Sequence, residues 1–336
     1  MFRGKRTLLA ALALLAAVSA ARAETDVHIA LVRSISNGAE LFALDRGYFK
    51  EAGLNVTIED INTSANTIAM LATNRLQIIA GGISAGYFNA LEKNIPITII
   101  ADRVSTPIRH NLMLRPDLKD QITDIKQLKG RTIASNGAGS VSTYELGKVL
   151  ETAGLKISDV DVKVLGFPQM GTAFANKAID AALVIPPFTY EFAEVDKLVK
   201  PNPMTIAVIM TNTDWAKEHH DAVQGYVTAY LRGVRDYCNA YHHGAVRKDM
   251  IESIVGHAAE RNPKLLNEYP WVARSPNLRV NVASMLDMQD WFVANKFANS
   301  KLPAERLLDM SYADAAIKKL GPFQLENKDS KLEGCR

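Results

Sequence analysis

Along residues 24–102, short apolar runs alternate with longer segments whose apolar positions have helical spacing. The apolar runs have the length of β-strands, and the longer segments have the length of amphipathic helices. Strands separated by helices in this way form a parallel sheet that is covered by helices. The pattern predicts strands at Val27–Val32, Asn55–Asp60, Leu76–Ala80 and Ile97–Asp102 and helices at Gly38–Arg46, Thr63–Asn74 and Ser84–Lys93, with a capping box from Asn37 to Glu40.

A second unit of the same kind follows a proline-containing passage from Ser105 to Asp117. Its predicted strands are Thr132–Ser135, Val160–Leu165, Ile179–Ile185 and Met204–Met210, and its predicted helices are Val141–Ala153 and Gln169–Lys177. After Thr213 the pattern is helical, most clearly in His220–Tyr241, Lys248–Arg261 and Met285–Asn295. The sequence therefore predicts an α/β fold of two similar lobes with a helical tail, since a chain of 336 residues exceeds what one core usually supports. Two such lobes that face each other enclose a cleft.

Residues 1–23 have the composition of an export signal. Three basic residues precede an apolar run from Leu8 to Val18, and the segment ends in Ala21-Arg22-Ala23. We predict a signal peptide cleaved after Ala23 and a mature protein in a Gram-negative periplasm. Cleavage removes four of the 39 basic residues and none of the 36 acidic ones, so the mature net charge is about −1. The basic excess of the whole chain therefore does not indicate a nucleic-acid partner.

The chain has two cysteines. Cys238 lies in a predicted helix, and Cys335 lies one residue from the end. An exported protein could join them in a disulfide, but spacing alone does not show whether the two residues meet. The other interpretation, a free buried Cys238 and a free Cys335, stays open at this point.

No sequence motif indicates catalysis. The loop Gly137-Ala138-Gly139-Ser140-Val141 matches neither a nucleophile elbow nor a phosphate-binding loop, and Ser142 stands where a dinucleotide fingerprint requires its third glycine. The pairs His219-His220 and His242-His243 lack the spacing of metal ligands, so surface histidines are the simpler interpretation. We therefore expect no enzyme, no catalytic residue, no metal site and no cofactor.

Three loops rich in Ser, Gly and Asn follow strands and precede helices, at 33–37, 81–85 and 135–142. In open α/β sheets the carboxyl ends of strands carry the ligand site, and the helix N-termini there offer unpaired N–H groups. Helix capping is the alternative explanation for any one loop, and it is weaker for three loops in matching positions. The candidate binding residues are Arg33, Ser34, Ser36, Asn37, Gly82, Ser84, Ser135, Gly137, Gly139, Ser140, Val141 and Ser142.

Arg33 differs from the other loop candidates by its charge, and three further candidates lie in the second unit. Arg33 is the strongly charged residue of these loops and could pair with a carboxylate or sulfonate, although a surface position or a salt bridge remains possible. Gln169 and the pair Pro187-Phe188 follow strands of the second unit, and the aromatic ring could contact an unsaturated ligand or pack on its own lobe. The charged residues of the passage between the lobes are interpreted as solvated positions, namely Arg103, Arg109 and His110.

Two segments give the sequence a resemblance to a known family. Asp45–Val56 reads DRGYFKEAGLNV and Ile125–Ala134 reads IKQLKGRTIA, and the second segment is followed by the Gly/Ser loop and by Ala178-Ile179-Asp180-Ala181. These segments resemble signatures of the periplasmic solute-binding proteins of ABC importers, in the branch that contains sulfonate, taurine and nitrate binders and the NMT1/THI5-like proteins.

The resemblance implies a type II periplasmic-binding-protein fold, in which each lobe is a mostly parallel sheet flanked by helices. One lobe would comprise residues 24–108 plus 213–336 with the C-terminal helices, and the other would comprise residues 109–212. The hinge crossings would lie at 105–111 and 210–214. A small-molecule ligand would bind between the lobes and favour their closed form, which an ABC permease in the inner membrane would recognise.

The sequence departs from many relatives of this branch in ways that bear on the ligand. The turn Ile185-Pro186-Pro187-Phe188 lacks an acidic residue before its proline, and Gln77 stands in the first lobe where Asp180 stands in the second. A neutral or anionic organic solute is therefore favoured over a cation. We expect a monomeric transport protein, and the alternatives are a THI5-like pyrimidine-precursor enzyme and a sensing subunit that docks on a receptor kinase.

Overall fold

The computed structural model describes residues 24–61, 67–105, 110–185, 188, 193–194, 204–257, 262–268 and 271–336. In this part of the chain, ten strands form two five-stranded sheets. The predicted signal peptide, Arg109 and Pro187 lie outside the described residues. None of the described helices is long and apolar enough to cross a membrane.

The first sheet has the strand order β2-β1-β3-β10-β4. Strands β1, β2, β3 and β4 run in one direction, whereas β10 runs antiparallel to both of its neighbours, β3 and β4. All eight residues of β10 are buried, as expected for a central strand with a helical layer on each face. The strands are β1 Thr25–Leu31, β2 Leu54–Asp60, β3 Ile78–Gly82, β4 Ile97–Ser105 and β10 Thr205–Asn212.

The second sheet repeats this plan with the strand order β7-β6-β8-β5-β9. Strands β6, β7 and β8 are parallel, and β5 runs antiparallel to β8 and β9. Both sheets are therefore mostly parallel, with one strand inserted in the opposite direction. The strands are β5 Asn111–Leu114, β6 Thr132–Ser135, β7 Asp161–Val164, β8 Ala181–Val184 and β9 Ala193–Glu194.

Helices cover both faces of each sheet and bury its apolar side chains. We call the first sheet with its helices the first lobe, and the second sheet with α5 and α6 the second lobe. The first lobe contains α1 Gly38–Asp45, α2 Tyr48–Glu51, α3 Thr67–Ala72, α4 Ala85–Glu92, α7 Thr213–Glu218, α8 His220–Tyr241, α9 Arg247–His257, α10 Pro263–Glu268, α11 Val282–Ala294 and α12 Ser311–Leu320, and the second contains α5 Val141–Glu151 and α6 Phe167–Ala175.

The α/β class and the mostly parallel sheets flanked by helices are confirmed, but two assignments change. Strand β10, which the boundary at 212 assigns to the second lobe, pairs with β3 and β4 in the first sheet. The chain therefore returns between Glu194 and Thr205, and the crossing expected at 210–214 is wrong. Strand β5 was not predicted, because its four residues lie in the passage that was interpreted as a connection.

The predicted capping box is also wrong. The Asn37 side-chain oxygen accepts a hydrogen bond from the Ser34 backbone N–H at 2.9 Å, which lies upstream of α1. Glu40 does not reach back to the helix start, because its carboxylate pairs with Arg103 and Arg274. The loop after β1 is thus closed on itself by Asn37, which leaves Glu40 for a buried ion pair.

Candidate functional site

A cavity of about 90 Å³ lies between the two lobes, where the carboxyl ends of their strands meet. The first lobe contributes the loops after β1 and β3, the end of β4 and the start of β10. The second lobe contributes the loop after β6, the first turns of α5 and α6 and the end of β8. The lining residues are Val32, Ser34, Ile35, Ser36, Ala80, Gly81, Gly82, Arg103, Val104, His110, Asn136, Val141, Ser142, Phe167, Ile185, Ile206, Ala207, Trp271 and Val272.

The N-terminus of α5 presents unsatisfied polar atoms to this cavity. Ser140 caps the helix, since its side chain accepts from the Thr143 N–H. The hydroxyl of Ser142 and the side-chain oxygen of Asn136 are buried without a hydrogen-bond partner, and both residues line the cavity. Buried polar groups normally have partners, so the cavity wall holds two polar atoms with free hydrogen-bonding capacity.

The loop before α5 also joins the two lobes. The Ala85 N–H at the start of α4 donates to the Gly139 carbonyl at 2.8 Å, and Ser84 forms a β-bridge with Ser140. Gly139 has a φ of +62°, and a side chain there would lie 2.9 Å from the Ala85 methyl group. Glycine therefore suits position 139 for two reasons: the backbone there is left-handed, and the lobes approach too closely to leave room for a side chain.

Ser135 and Gly137 lie behind this loop and do not line the cavity. The hydroxyl groups of Ser135 and Thr143 are 3.0 Å apart, and the Thr143 hydroxyl donates to the Gly137 carbonyl at 2.7 Å. These bonds fix the loop conformation from within the second lobe. The two residues support the cavity wall and do not face a guest directly.

A buried ion cluster carries the charge on the first lobe's side of the cavity. Arg103 donates from Nε to Glu40 Oε1 at 2.5 Å, and Arg274 places Nη1 3.7 Å from Glu40 Oε2. Both guanidinium groups also donate to the Ser36 carbonyl, at 3.4 Å from Arg103 and 2.6 Å from Arg274. Arg103 lines the cavity, whereas Glu40 and Arg274 lie behind it.

Asp102 lies next to this cluster but outside the cavity lining. Burial raises the pKa of its carboxyl group to about 6, although hydrogen bonds from Ser105, Ser275 and Thr205 act in the opposite direction. Above that pH the carboxylate balances part of the positive charge of Arg274. Its position behind the wall leaves the guanidinium group of Arg103 as the charged group that faces the cavity here.

A histidine–carboxylate pair borders the cavity from the passage between the lobes. His110 Nδ1 lies 2.7 Å from Glu145 Oε2, and the two side chains are 12% and 3% exposed. His110 lines the cavity and Glu145 lies behind it on α5, so the carboxylate fixes the orientation of the ring. As with Arg103, the nitrogen-bearing group lines the cavity and its carboxylate partner does not.

Aromatic side chains form two walls of the cavity. Phe167 lines it at the start of α6, and Phe188 stacks on Phe167 with ring centroids 6.1 Å apart. Phe188 is thus an outer support and lies outside the lining. On the first lobe's side Trp271 is held by Tyr237, with ring centroids 5.2 Å apart, and by a bond from its Nε1 to the Leu266 carbonyl.

The structure brings Ser34, Ser36, Gly82, Val141 and Ser142 together in the cavity wall. Other predicted residues lie away from it. Arg33 binds Asp60 Oδ1 at 2.6 Å and the His257 carbonyl at 2.5 Å and does not line the cavity. Gln169 is exposed on α6. Asn37 accepts a hydrogen bond within the loop after β1, and Ser84 forms the β-bridge with Ser140. Pro187 lies outside the described residues.

Sequence reasoning missed the two nitrogen-bearing residues and Trp271. Arg103 and His110 were interpreted as solvated, yet Arg103 is only 5% exposed and both line the cavity. The sequence did contain a signal for Arg103. Asp102 and Arg103 are charged residues within the apolar run Ile97–Ser105, and charged residues inside a buried strand require partners. Trp271 lies in the helical tail, and no pattern in the sequence links it to the strand ends.

The charge and metal content of the site follow from these residues. Among the described residues that line the cavity there is no Asp or Glu. Within the same described part of the chain, no cluster of three or more His, Cys, Asp or Glu side chains could hold a metal ion. The wall therefore offers hydrogen-bond donors, one arginine, one histidine and a largely apolar surface.

Two lobes with inserted antiparallel strands and a cavity between their strand ends define the periplasmic-binding-protein fold. The chain belongs to the NMT1/THI5 like family, which it matches over residues 37–240. The family assignment confirms the resemblance drawn from the two sequence segments. A comparison with curated proteins gives no match.

Several solved structures are similar to this chain. The periplasmic nitrate-binding protein NrtA from Synechocystis PCC 6803 has 12% identity and a TM-score of 0.70, covering 93% of this chain and 92% of that one. The alkanesulfonate-binding protein SsuA from Xanthomonas axonopodis pv. citri, bound to MOPS, has 16% identity and a TM-score of 0.63, covering 88% and 97%. The desulfurization enzyme DSZB has 12% identity and a TM-score of 0.61, covering 89% and 100%.

Proposed function

We propose that the protein is the periplasmic solute-binding component of an ABC importer and captures a small neutral or anionic organic solute between its lobes. The observation that carries this proposal is the cavity itself, which both lobes line and in which Ser142 and Asn136 offer unpartnered polar atoms. A guest that contacts both walls stabilises the closed arrangement over any open one. The similarity to NrtA and SsuA supports this function.

The charge of the groups that line the cavity indicates the class of solute. Arg103 and His110 face the cavity while their carboxylate partners Glu40 and Glu145 lie behind them. A cationic guest would meet the guanidinium group of Arg103 and find no carboxylate on the described wall, whereas an anionic guest would gain a charge-assisted hydrogen bond from that group. The apolar remainder, with Phe167 and Trp271, suits a hydrocarbon or aromatic part of the solute.

The direct test is a thermal-unfolding screen of the purified protein against sulfonates, carboxylates, aromatic acids, pyrimidines and matched amines. A solute that binds only the folded state raises Tm, and the rise grows with its concentration. We expect hits among anions or neutral molecules and none among the amines. Stabilisation by the amines alone, or by no compound at millimolar concentration after removal of co-purified ligand, would contradict the proposal.

The contribution of Arg103 can be measured on any anionic hit. Arg103→Gln should lower the affinity by at least about 2 kcal/mol, roughly 30-fold, because the buried charge pair with the guest is lost. Arg33→Gln is the matched control, since Arg33 binds Asp60 outside the cavity and should leave affinity unchanged. Equal losses in the two variants would remove Arg103 from the site.

The transport role sets the location and the partner. We propose that residues 1–23 direct export, that the mature protein works in the periplasm as a monomer, and that its closed form docks on a membrane permease. Co-purification with the permease encoded nearest to its gene tests the partner. A receptor kinase recovered in its place would support the sensing alternative.

An enzyme is the second candidate, because the similar DSZB structure is that of an enzyme and because the Glu145-oriented ring of His110 borders a cavity that also contains the Ser142 hydroxyl. Mass spectrometry of a bound solute after prolonged incubation separates the two functions. Recovery of the unchanged solute supports capture, and a changed mass that disappears with His110→Gln supports catalysis.

A further inference from the structure

The fold brings the two cysteines of the chain together at the C-terminal end of α8. Cys238 lies in the last turn of that helix, and Cys335 is the second residue from the chain's end. Their Sγ atoms are 2.6 Å apart although 97 positions separate the two residues. Both side chains are buried, at 0% and 2% exposure.

The C-terminal tail is fixed on α8 immediately before Cys335. The Tyr241 hydroxyl donates to the Glu333 carbonyl at 2.6 Å. The ring nitrogens of His242 lie 2.8 Å from the Ser330 hydroxyl and 3.0 Å from the Gly334 carbonyl. These contacts place the Cys335 backbone in one position against the helix, so the approach of the two sulfur atoms is part of a docked segment.

The backbone of the tail turns sharply to direct Cys335 inward. Gly334 has a φ of +83° and Cys335 a φ of +55°, so two consecutive residues are left-handed. A residue with a side chain adopts this region at an energetic cost that surrounding contacts must offset. At Cys335 this turn places the buried sulfur atom 2.6 Å from that of Cys238, so the contact between the two cysteines is one that offsets the cost.

We propose that Cys238 and Cys335 form a structural disulfide that fastens the C-terminal tail to α8. The two thiols lose two protons and two electrons as the S–S bond forms, and the disulfide of a thiol oxidoreductase accepts them as it becomes a dithiol. One cysteine thiolate first attacks the oxidant's disulfide to give a mixed disulfide, and the other then displaces the oxidant. Exported proteins meet such oxidants, whereas cytosolic ones are kept reduced.

The burial of the pair determines when this bond can form and break. Burial raises the pKa of the Cys238 thiol well above its usual value, and contact with Cys335 acts in the same direction. A docked Cys238 is therefore a poor nucleophile and is closed to an oxidant, so oxidation takes place before the tail docks. By the same reasoning, reductants should leave the bond intact until the protein is unfolded.

The bond also braces the wall behind the cavity. The Cys238 sulfur lies 4.0 Å from the carbonyl oxygen of Arg274, whose side chain reaches Glu40 and the Ser36 carbonyl. Gly334, Cys335 and Arg336 lie beside Arg274 and line one depression with it. The disulfide therefore holds the tail, and with it the segment that contains Arg274, against the rest of the first lobe.

Peptide mapping tests the disulfide directly on the full chain, exported to the periplasm of a host. The protein is denatured without reductant, alkylated and digested with trypsin. We expect no alkylated cysteine and one linked pair of peptides, 236–247 with 332–336, because trypsin cleaves after Arg235, Arg247 and Lys331. Two alkylated thiols and no linked pair would overturn the proposal, whatever the solute screen shows.

Unfolding in the presence of reductant tests the structural role. A closed loop of this length predicts that wild type loses roughly 5 to 10 °C of Tm once the bond is reduced. Cys335→Ser should start at that lower Tm and show no response to reductant. Ser330→Ala is the matched control, since it removes a tail contact to His242 and should still respond. A Cys335→Ser variant as stable as wild type would overturn the structural role.

Discussion

Replacing Glu40 by alanine should lower the free energy of unfolding by about 3 to 5 kcal/mol, because two buried guanidinium groups would lose their carboxylate. Glu40 is 1% exposed and pairs with Arg103 at 2.5 Å and with Arg274 at 3.7 Å. Both arginine side chains are buried, at 6% and 1% exposure, so water cannot fully replace the carboxylate. Equilibrium unfolding in guanidinium chloride at neutral pH measures the loss.

The chain offers an exposed ion pair of the same chemistry as a control. Glu51 Oε2 lies 2.5 Å from Arg232 Nη1, the same separation as in the Glu40–Arg103 pair, but these side chains are 59% and 34% exposed. Glu51→Ala should therefore cost less than about 1 kcal/mol, because water solvates both charges in its absence. If the two alanine variants lose equal stability, burial does not control the strength of this cluster and our account of it is wrong.

Local sequence patterns were sufficient to predict most individual elements. The strand Thr132–Ser135 and the helix His220–Tyr241 match their predicted bounds, because each has an apolar periodicity that neighbouring residues define. The three polar loops were also placed correctly at strand ends. Their location depends only on the order of strands and helices, which the periodicity supplies.

The order of strands within a sheet depends on contacts between distant residues. β10 inserts between β3 and β4, which it follows by more than a hundred positions, and its apolar run could equally fill a place in either sheet. β5 occupies the same inserted place in the second sheet. Periodicity identifies a buried strand but not its neighbours, so the return crossing was assigned to the wrong position.

The candidate site shows the same limit, because the sequence does not indicate which of two arginines lines the cavity. Arg33 and Arg103 both follow apolar runs of the first lobe, so either could face the strand ends. The nearby carboxylate of Asp60 at the end of β2 holds Arg33 on the outside, whereas Glu40, 63 positions away in sequence, holds Arg103 inside. Pairing partners separated by that distance cannot be identified from one sequence.

The largest effect on solute binding should come from Gly147, which does not line the cavity. Gly147 lies on α5 of the second lobe and faces Trp291 on α11 of the first. A Cβ atom at this position would lie 2.0 Å from Trp291 Cζ2 and 2.7 Å from Cε2. Glycine is therefore required for the two helices, and with them the two lobes, to approach this closely.

The surrounding contacts prevent Trp291 from moving aside. Its Nε1 donates to Glu151 Oε1 at 2.7 Å, and its ring meets the edge of Tyr144 with centroids 5.7 Å apart. The Tyr144 hydroxyl in turn donates to Asp287 at 2.5 Å. A larger residue at 147 must break these bonds or separate the lobes, and separation removes one of the two walls that hold the solute.

Gly147→Leu should therefore weaken solute binding by about 100-fold, or about 2.7 kcal/mol, while each lobe keeps its own core. Titration calorimetry measures the affinity, and small-angle X-ray scattering should show a larger radius of gyration at saturating solute. Gly256→Ala is the matched control, because a Cβ atom on that helical glycine meets nothing within 4 Å. Wild-type affinity and scattering in Gly147→Leu would mean that closure of the α5–α11 contact is not needed for capture.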